Sequence, residues 1–267
     1  MKLIDSFLYH NEELLLAVRL DYLDSVVDEF WICESTVDFA GRSRSPRLHE
    51  ILAKYPGLNH KVKILLHTPD FRSSRFIIRK WLGRNIGWLL QDSQRDFLGK
   101  SIFREFRKSG AMVLFGDLDE IPSHEAIKIA IADRRQLAMQ QTLYYGSLLN
   151  RAVAPWRGTV FSEHIGRDSF SRVRGRREAL PFLFGGGWHF SYFGTGPQLI
   201  EKIAAIAVSE TLDVNSLPSE ELVQTNLSKG FDPYGRSSGI QRLAAPDVPN
   251  DLLSLLKKYL GTEILLR

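Results

Sequence analysis

The chain has 267 residues, 44% hydrophobic and 25% charged, an ordinary globular composition long enough for one large α/β domain or a core with a smaller appendage. Its formal net charge of +4 suits an anionic substrate and is too diffuse to call for nucleic acid. A lone Cys33 excludes an internal disulfide, no run approaches the ~20 apolar residues of a membrane span, and no signal peptide is visible. A soluble cytoplasmic protein is therefore expected, with peripheral membrane contact through basic patches left open.

Residues 3–8 read as a first strand, with Asn11 and Glu12 just past its end. Residues 13–24 carry helical periodicity, and 26–34 form a second strand that ends in an acid, Glu34. After a polar loop, 48–54 read as a helix stopped by Pro56-Gly57, and 61–67 as a third strand. Residues 74–90 give one long helical pattern carrying Arg79, Arg84 and Asn85, with 102–108 a further helix. Strands alternating with helices over the first ~120 residues predict a right-handed, mostly parallel sheet.

The stretch 111–122 organises the rest. Ala111 to Phe115 is an unbroken apolar run, as expected of a strand buried on both faces, and it ends in Asp117, Asp119 and Glu120 before Pro122. Ligands of open α/β sheets bind beyond the carboxyl ends of the strands. Three carboxylates there repel one another unless a cation compensates, and hard oxygen ligands suit Mg²⁺ or Mn²⁺. Asp117 and Asp119 lie two apart, so in an extended chain both leave on one side and can share a metal. A polar strand-to-helix turn capped by Asp119 or Ser123 explains the same residues without a ligand.

Beyond it, 123–136 read as a helix, 137–149 as an aromatic strand, and 167–177 as a basic loop that is either solvated or in contact with phosphate. Gly185-Gly186-Gly187 would let the backbone approach a ligand, with Trp188 and Phe190 walling it from water and His189 as the titratable group. Helices follow at 197–208, with Glu201 and Lys202, at 219–229, and at 251–260; Asp232 lies in a Gly-Phe-Asp-Pro-Tyr-Gly loop.

Taken in order, Ile4-Asp5-Ser6-Phe7 with Asn11-Glu12, Glu34-Ser35, Arg84-Asn85, Asp117-x-Asp119-Glu120-Ile121-Pro122 and Gly186-Gly187-Trp188-His189-Phe190-Ser191-Tyr192 resemble glycosyltransferase family 17 over residues 3–236. The resemblance implies a GT-A-like α/β fold with a Rossmann-type, mostly parallel central sheet in one domain, 1–267. Residues 1–122 would be the nucleotide-binding half, 123–240 the acceptor and catalytic half, and 241–267 a helical tail. It further implies an inverting transferase with a UDP-sugar donor, UDP-N-acetylglucosamine first, a Mn²⁺ or Mg²⁺ cofactor, and a glycan or glycolipid acceptor. Without the membrane anchor of the animal Golgi enzymes, the chain looks like a bacterial form.

The site residues expected on this basis are Phe7, Asn11, Glu12, Glu34, Arg84, Asn85, Asp117, Trp188, His189 and Lys202 for the nucleotide sugar. Asp117, Asp119 and His189 are expected at the metal, and Asp232 as base with Glu120 as the second catalytic carboxylate. Glu201 and Glu210 are the other carboxylates considered for the base. A metal-dependent phosphohydrolase or nuclease would use the same carboxylates but usually adds ligands for a second metal, and a non-catalytic carbohydrate- or nucleic-acid-binding protein would use the aromatics and arginines and bind without metal.

Overall fold

Burial on both faces accounts for the apolar runs of the first half. In the computed structural model, β1 (Lys2–Tyr9) is buried from Leu3 onward, and so is all of β2 (Glu29–Ser35). The structure describes residues 1–163, 169–210, 217–236 and 239–267, without the side chains of Arg75 and of residues 206–210. Between the first strands runs α1 (Glu13–Leu23); α2 (Leu48–Ala53) and β3 (Val62–His67) follow. The single helix expected over 74–90 is two, α3 (Ser74–Trp81) and α4 (Ile86–Phe106), and the further helix expected at 102–108 is the end of α4. The break has a local cause. Gly83 turns into the left-handed region at φ +79°, and the Asn85 side chain accepts from the Gly87 N–H at 2.7 Å, starting a new helix.

The strand β4 (Ala111–Asp117) passes through a turn into β5 (Glu120–Pro122) and then α5 (His124–Asp133), capped by the Ser123 hydroxyl. Next come β6 (Leu137–Tyr145), β7 (Asn150–Ala152) and β8 (Trp156–Ser162). The basic stretch expected as a loop holds a short helix, α6 (Phe170–Gly175), and a 3₁₀ turn, Arg177–Ala179; Arg167 lies outside the described residues. The chain continues with β9 (Phe182–Leu183), β10 (Gly187–Ser191), α7 (Gly196–Glu210), α8 (Glu220–Ser228), β11 (Ile240–Arg242), α9 (Asn250–Leu260) and α10 (Thr262–Leu266).

The main sheet runs β11-β7-β6-β8-β4-β1-β2-β3. The part β3-β2-β1-β4 is parallel, as the alternating pattern predicts. Antiparallel β8 then joins β4 to β6. This is the mixed α/β, GT-A-like arrangement, with its parallel character concentrated in the first half.

Both faces of the sheet are covered. On one, Phe7, Phe30, Ile32, Leu114 and Phe161 pack in a core shared with α1 and α9. On the other, Ile4, Trp31, Cys33, Val113 and Phe115 meet Leu98 and Ile102 of α4 and Phe170 of α6. Each such side chain contributes about 1.5–3 kcal/mol on burial, and together they hold the carboxyl ends of β1 and β4 side by side.

Candidate active site

Where β4 ends, three backbone carbonyls turn inward instead of joining a strand ladder. Arg19, fully buried, donates through one nitrogen to the carbonyls of Asp117 (2.7 Å), Leu118 (3.0 Å) and Glu120 (2.9 Å). Its other nitrogens bind both oxygens of buried Asp5 at 2.7 Å, so the charge is matched within the core. A buried turn whose carbonyls are satisfied in this way is fixed in shape. Its two aspartates therefore project from a rigid base.

The turn separates them. Asp117 accepts from Arg95 of α4 (3.0 Å) and Arg174 of α6 (2.8 Å), one on each oxygen. Asp119 meets Lys202 of α7 (Oδ2 to Nζ, 2.7 Å) and His189 of β10 (Oδ1 to Nε2, 3.4 Å). Burial alone would raise both carboxyls. Arg174 and Arg95 hold Asp117, and Lys202 and His189 hold Asp119, well below the usual carboxylate range. Burial alone would lower Lys202, but Asp119 and then Glu12, at 3.3 Å, raise its pKa.

A cleft of about 930 Å³ opens over this turn. Eight arginines and Lys202 line it against four carboxylates, Glu12, Asp92, Asp117 and Asp119. Each of the four faces a cation: Glu12 meets Lys202, and Asp92 meets Arg79 and Arg84, both at 3.1 Å. The surplus of positive charge suits a polyanionic ligand. Trp156 and Tyr192 add aromatic faces. Tyr192 holds φ +60°, a conformation costly for a bulky residue and found where surrounding structure enforces it.

Seven expected site residues do not line the cleft. Phe7 is a core side chain beneath the Arg19 guanidinium, 4.4 Å from its ring centre. Glu34 accepts from the backbone N–H groups of Arg47 (2.9 Å) and Leu48 (3.0 Å), so both its oxygens anchor the start of α2. Asn85 is the α4 cap. Trp188 packs edge-on to Tyr22 on the face of β10 opposite His189, and Phe190 is wholly buried, so neither walls the cleft.

Glu120 is also fully buried. It accepts from the Trp156 indole (2.6 Å), the Asp117 N–H (3.0 Å) and Arg174, which makes it the support of Arg174 and not a catalytic acid or base. Asp232 accepts from the Tyr234 and Arg236 N–H groups (3.0 and 2.8 Å) and from the side chain of Arg236, which lines the cleft, so it organises its own loop. Asn11 pairs with Glu201 beside the cleft, and the Glu210 side chain lies outside the described residues.

The glycines also serve a different purpose. A Cβ on Gly187 would sit 2.2 Å from the Ile121 carbonyl, and one on Gly186 2.6 Å from Met139. They let β10 lie between β5 and β6, which puts His189 in register with Glu120 and beside Asp119. The backbone approached is the protein's own.

Among the described residues, no three His, Cys, Asp or Glu groups form a metal cluster. The pair Asp119 and His189 does fit one cation. Donors at about 2.1 Å on adjacent octahedral vertices lie about 3 Å apart, close to the observed 3.4 Å. Asp117, with both oxygens on arginines, is a poorer ligand than the D-x-D spacing suggested.

A model of glycosyltransferase family 17 matches residues 1–236. The chain belongs to this family. The β-1,4-mannosyl-glycoprotein 4-β-N-acetylglucosaminyltransferases of Homo sapiens and Rattus norvegicus are each 30% identical to it over 133 residues. That segment is 47% of this chain but only 23% and 22% of theirs. Among solved structures, HddC from Yersinia pseudotuberculosis aligns at TM-score 0.38 and 11% identity, covering 71% of this chain and 92% of HddC. A Pyrobaculum calidifontis mannosyltransferase solved with GDP-Man and Mn²⁺ aligns at 0.39 and 8%, covering 82% of this chain and 65% of that one. At these scores the likeness is loose, and nothing about function follows from it.

Arg95, Arg174, Arg19 and Trp156 are the site residues that sequence reasoning missed. Arg174 stood in a run of five arginines with nothing to single it out, and Arg95 lay within α4 in a stretch left without a helix assignment.

Proposed function

We propose that the cleft binds a UDP-sugar with a Mn²⁺ or Mg²⁺ ion and transfers the sugar, with inversion, to a glycan or glycolipid acceptor. N-acetylglucosamine is the sugar favoured by the names of the human and rat relatives. The observation that carries the proposal is the pairing of Asp119 with His189 at the floor of a cleft rich in arginine. A carboxylate and an imidazole suit Mn²⁺ better than Mg²⁺, which prefers oxygen alone. When bound, the cation stabilises the departing diphosphate as a Lewis acid.

The chain's own residues do the rest. Lys202 orients Asp119 and adds positive charge beside the diphosphate. Arg95 and Arg174 pin Asp117, and Arg84 at the rim is placed to meet phosphate. Trp156 stacks obliquely on His189, with ring centres 5.0 Å apart, and limits water at that end.

Calorimetry of UDP with and without Mn²⁺ tests this reading. UDP affinity should rise with Mn²⁺, and Asp119→Ala and His189→Ala should each weaken metal-dependent binding by roughly tenfold or more. Undiminished affinity in both variants would sink the assignment.

A further inference from the structure

We propose that α3 is a membrane-docking element that seats on an anionic lipid surface beside the cleft. Its outer side is apolar and exposed. Trp81 is 83% exposed, Leu82 66%, and Ile77 and Ile78 54% each. Positions 77, 78, 81 and 82 are neighbours one turn apart, so they form one stripe and not scattered residues. Trp88, at the start of α4, is exposed nearby. Folded chains rarely leave such a patch facing water unless something covers it.

Charge identifies the cover. Residues 68–85 hold five arginines and lysines against a single acid, Asp70, and two of the five, Arg79 and Arg84, pair with Asp92 of α4. Arg72 and Lys80 are exposed on this segment. A short helix with tryptophan and branched aliphatics on one side and basic groups flanking them has the composition of an interfacial helix, whose apolar side enters the headgroup boundary while its cations meet anionic lipid. A protein partner would match the apolar stripe, but the one-sided charge favours a uniformly negative surface.

Position gives the docking a consequence. Arg79, Arg84 and Trp88 also line the cleft, so α3 is part of its rim. A protein seated by α3 holds the cleft mouth at the bilayer, which, resting on the transfer reading above, favours the glycolipid over the soluble glycan as acceptor.

Co-sedimentation of the whole chain with phosphatidylcholine vesicles, with and without phosphatidylglycerol, tests the proposal and needs no donor sugar. Binding should require phosphatidylglycerol and weaken with salt. Ile78→Glu with Trp81→Glu should reduce it about tenfold or more, and Lys80→Glu alone should reduce it less. Neither variant touches the cleft, so melting temperature and UDP affinity should stay at the parent values. Absence of binding to the anionic vesicles overturns the proposal, as does parent-level binding by a folded double variant. A chain that is dimeric in solution and becomes monomeric in the double variant also overturns it, because the stripe is then a contact between copies. Vesicle binding without UDP binding would refute the transfer reading and leave the docking intact.

Discussion

Arg174 shows how one side chain can hold two parts of the site at once. It sits between Glu120 beneath it, which is fully buried, and Asp117 above it, which faces the cleft. Burial alone would lower its pKa, yet the two carboxylates raise it, so the guanidinium stays charged. Removing one partner of a buried ion pair costs more than the pair contributes, because a bare charge is left behind. Arg174→Met should therefore lose about 3–5 kcal/mol in urea unfolding, through exposure of Glu120 to an uncompensated interior. Adding Glu120→Gln should restore part of that loss. If the double variant is as unstable as the sum of the singles, the two residues are not coupled as described.

At the scale of elements, β10 decides where His189 goes. It enters between β5 and β6 through Gly187, at φ +117° and with no room for a Cβ. Gly187→Ala should cost about 1–3 kcal/mol from strain and overlap with the Ile121 carbonyl, and should weaken UDP binding by moving His189 away from Asp119. A crystal structure or melting curve matching the parent would contradict this. The same element shows what a sequence can reveal. Asp117, Asp119 and Glu12 stand at strand ends and His189 in an unusual glycine-aromatic run, whereas Arg84 and Lys202 sit in helical patterns and entered with the family resemblance; the structure brings all six to one cleft. Trp188 and Phe190 were misassigned although strand alternation already places them opposite His189. Glu34 could not be resolved, since an acid at a strand end looks the same whether it meets a ligand or the amides of α2. The split of 74–90 was hidden by an apolar period that runs through Gly83.

Across the whole molecule, the parallel first half supplies the rigid edge and the antiparallel second half supplies its partners, with α4 and α7 crossing from one to the other. The parallel half is sensitive to acid for a reason away from the carboxylates. His67, at the end of β3, is buried against Phe97 of α4, with Nε2 near the Ser93 hydroxyl (3.1 Å) and Nδ1 without a partner among the described residues. Burial lowers its pKa from 6.5 to about 4. A histidine depressed in this way is held neutral in the fold and takes a proton more readily when unfolded. Its contribution is whole above about pH 6.5 and fades as pH falls towards 4, the opposite of a histidine stabilised by a carboxylate. At about 1.4 kcal/mol per unit, the loss approaches 3 kcal/mol. Asp119, held low by Lys202, keeps its charge throughout that window. Urea midpoints measured at pH 7.5, 6 and 4.5 should therefore fall most between the last two. In His67→Phe this part of the slope should shrink by about half or more, while the parent retains it in full. An unchanged slope in His67→Phe would move the acid sensitivity to another group, with His10, half-buried and lowered to about 4 by desolvation, the next to replace.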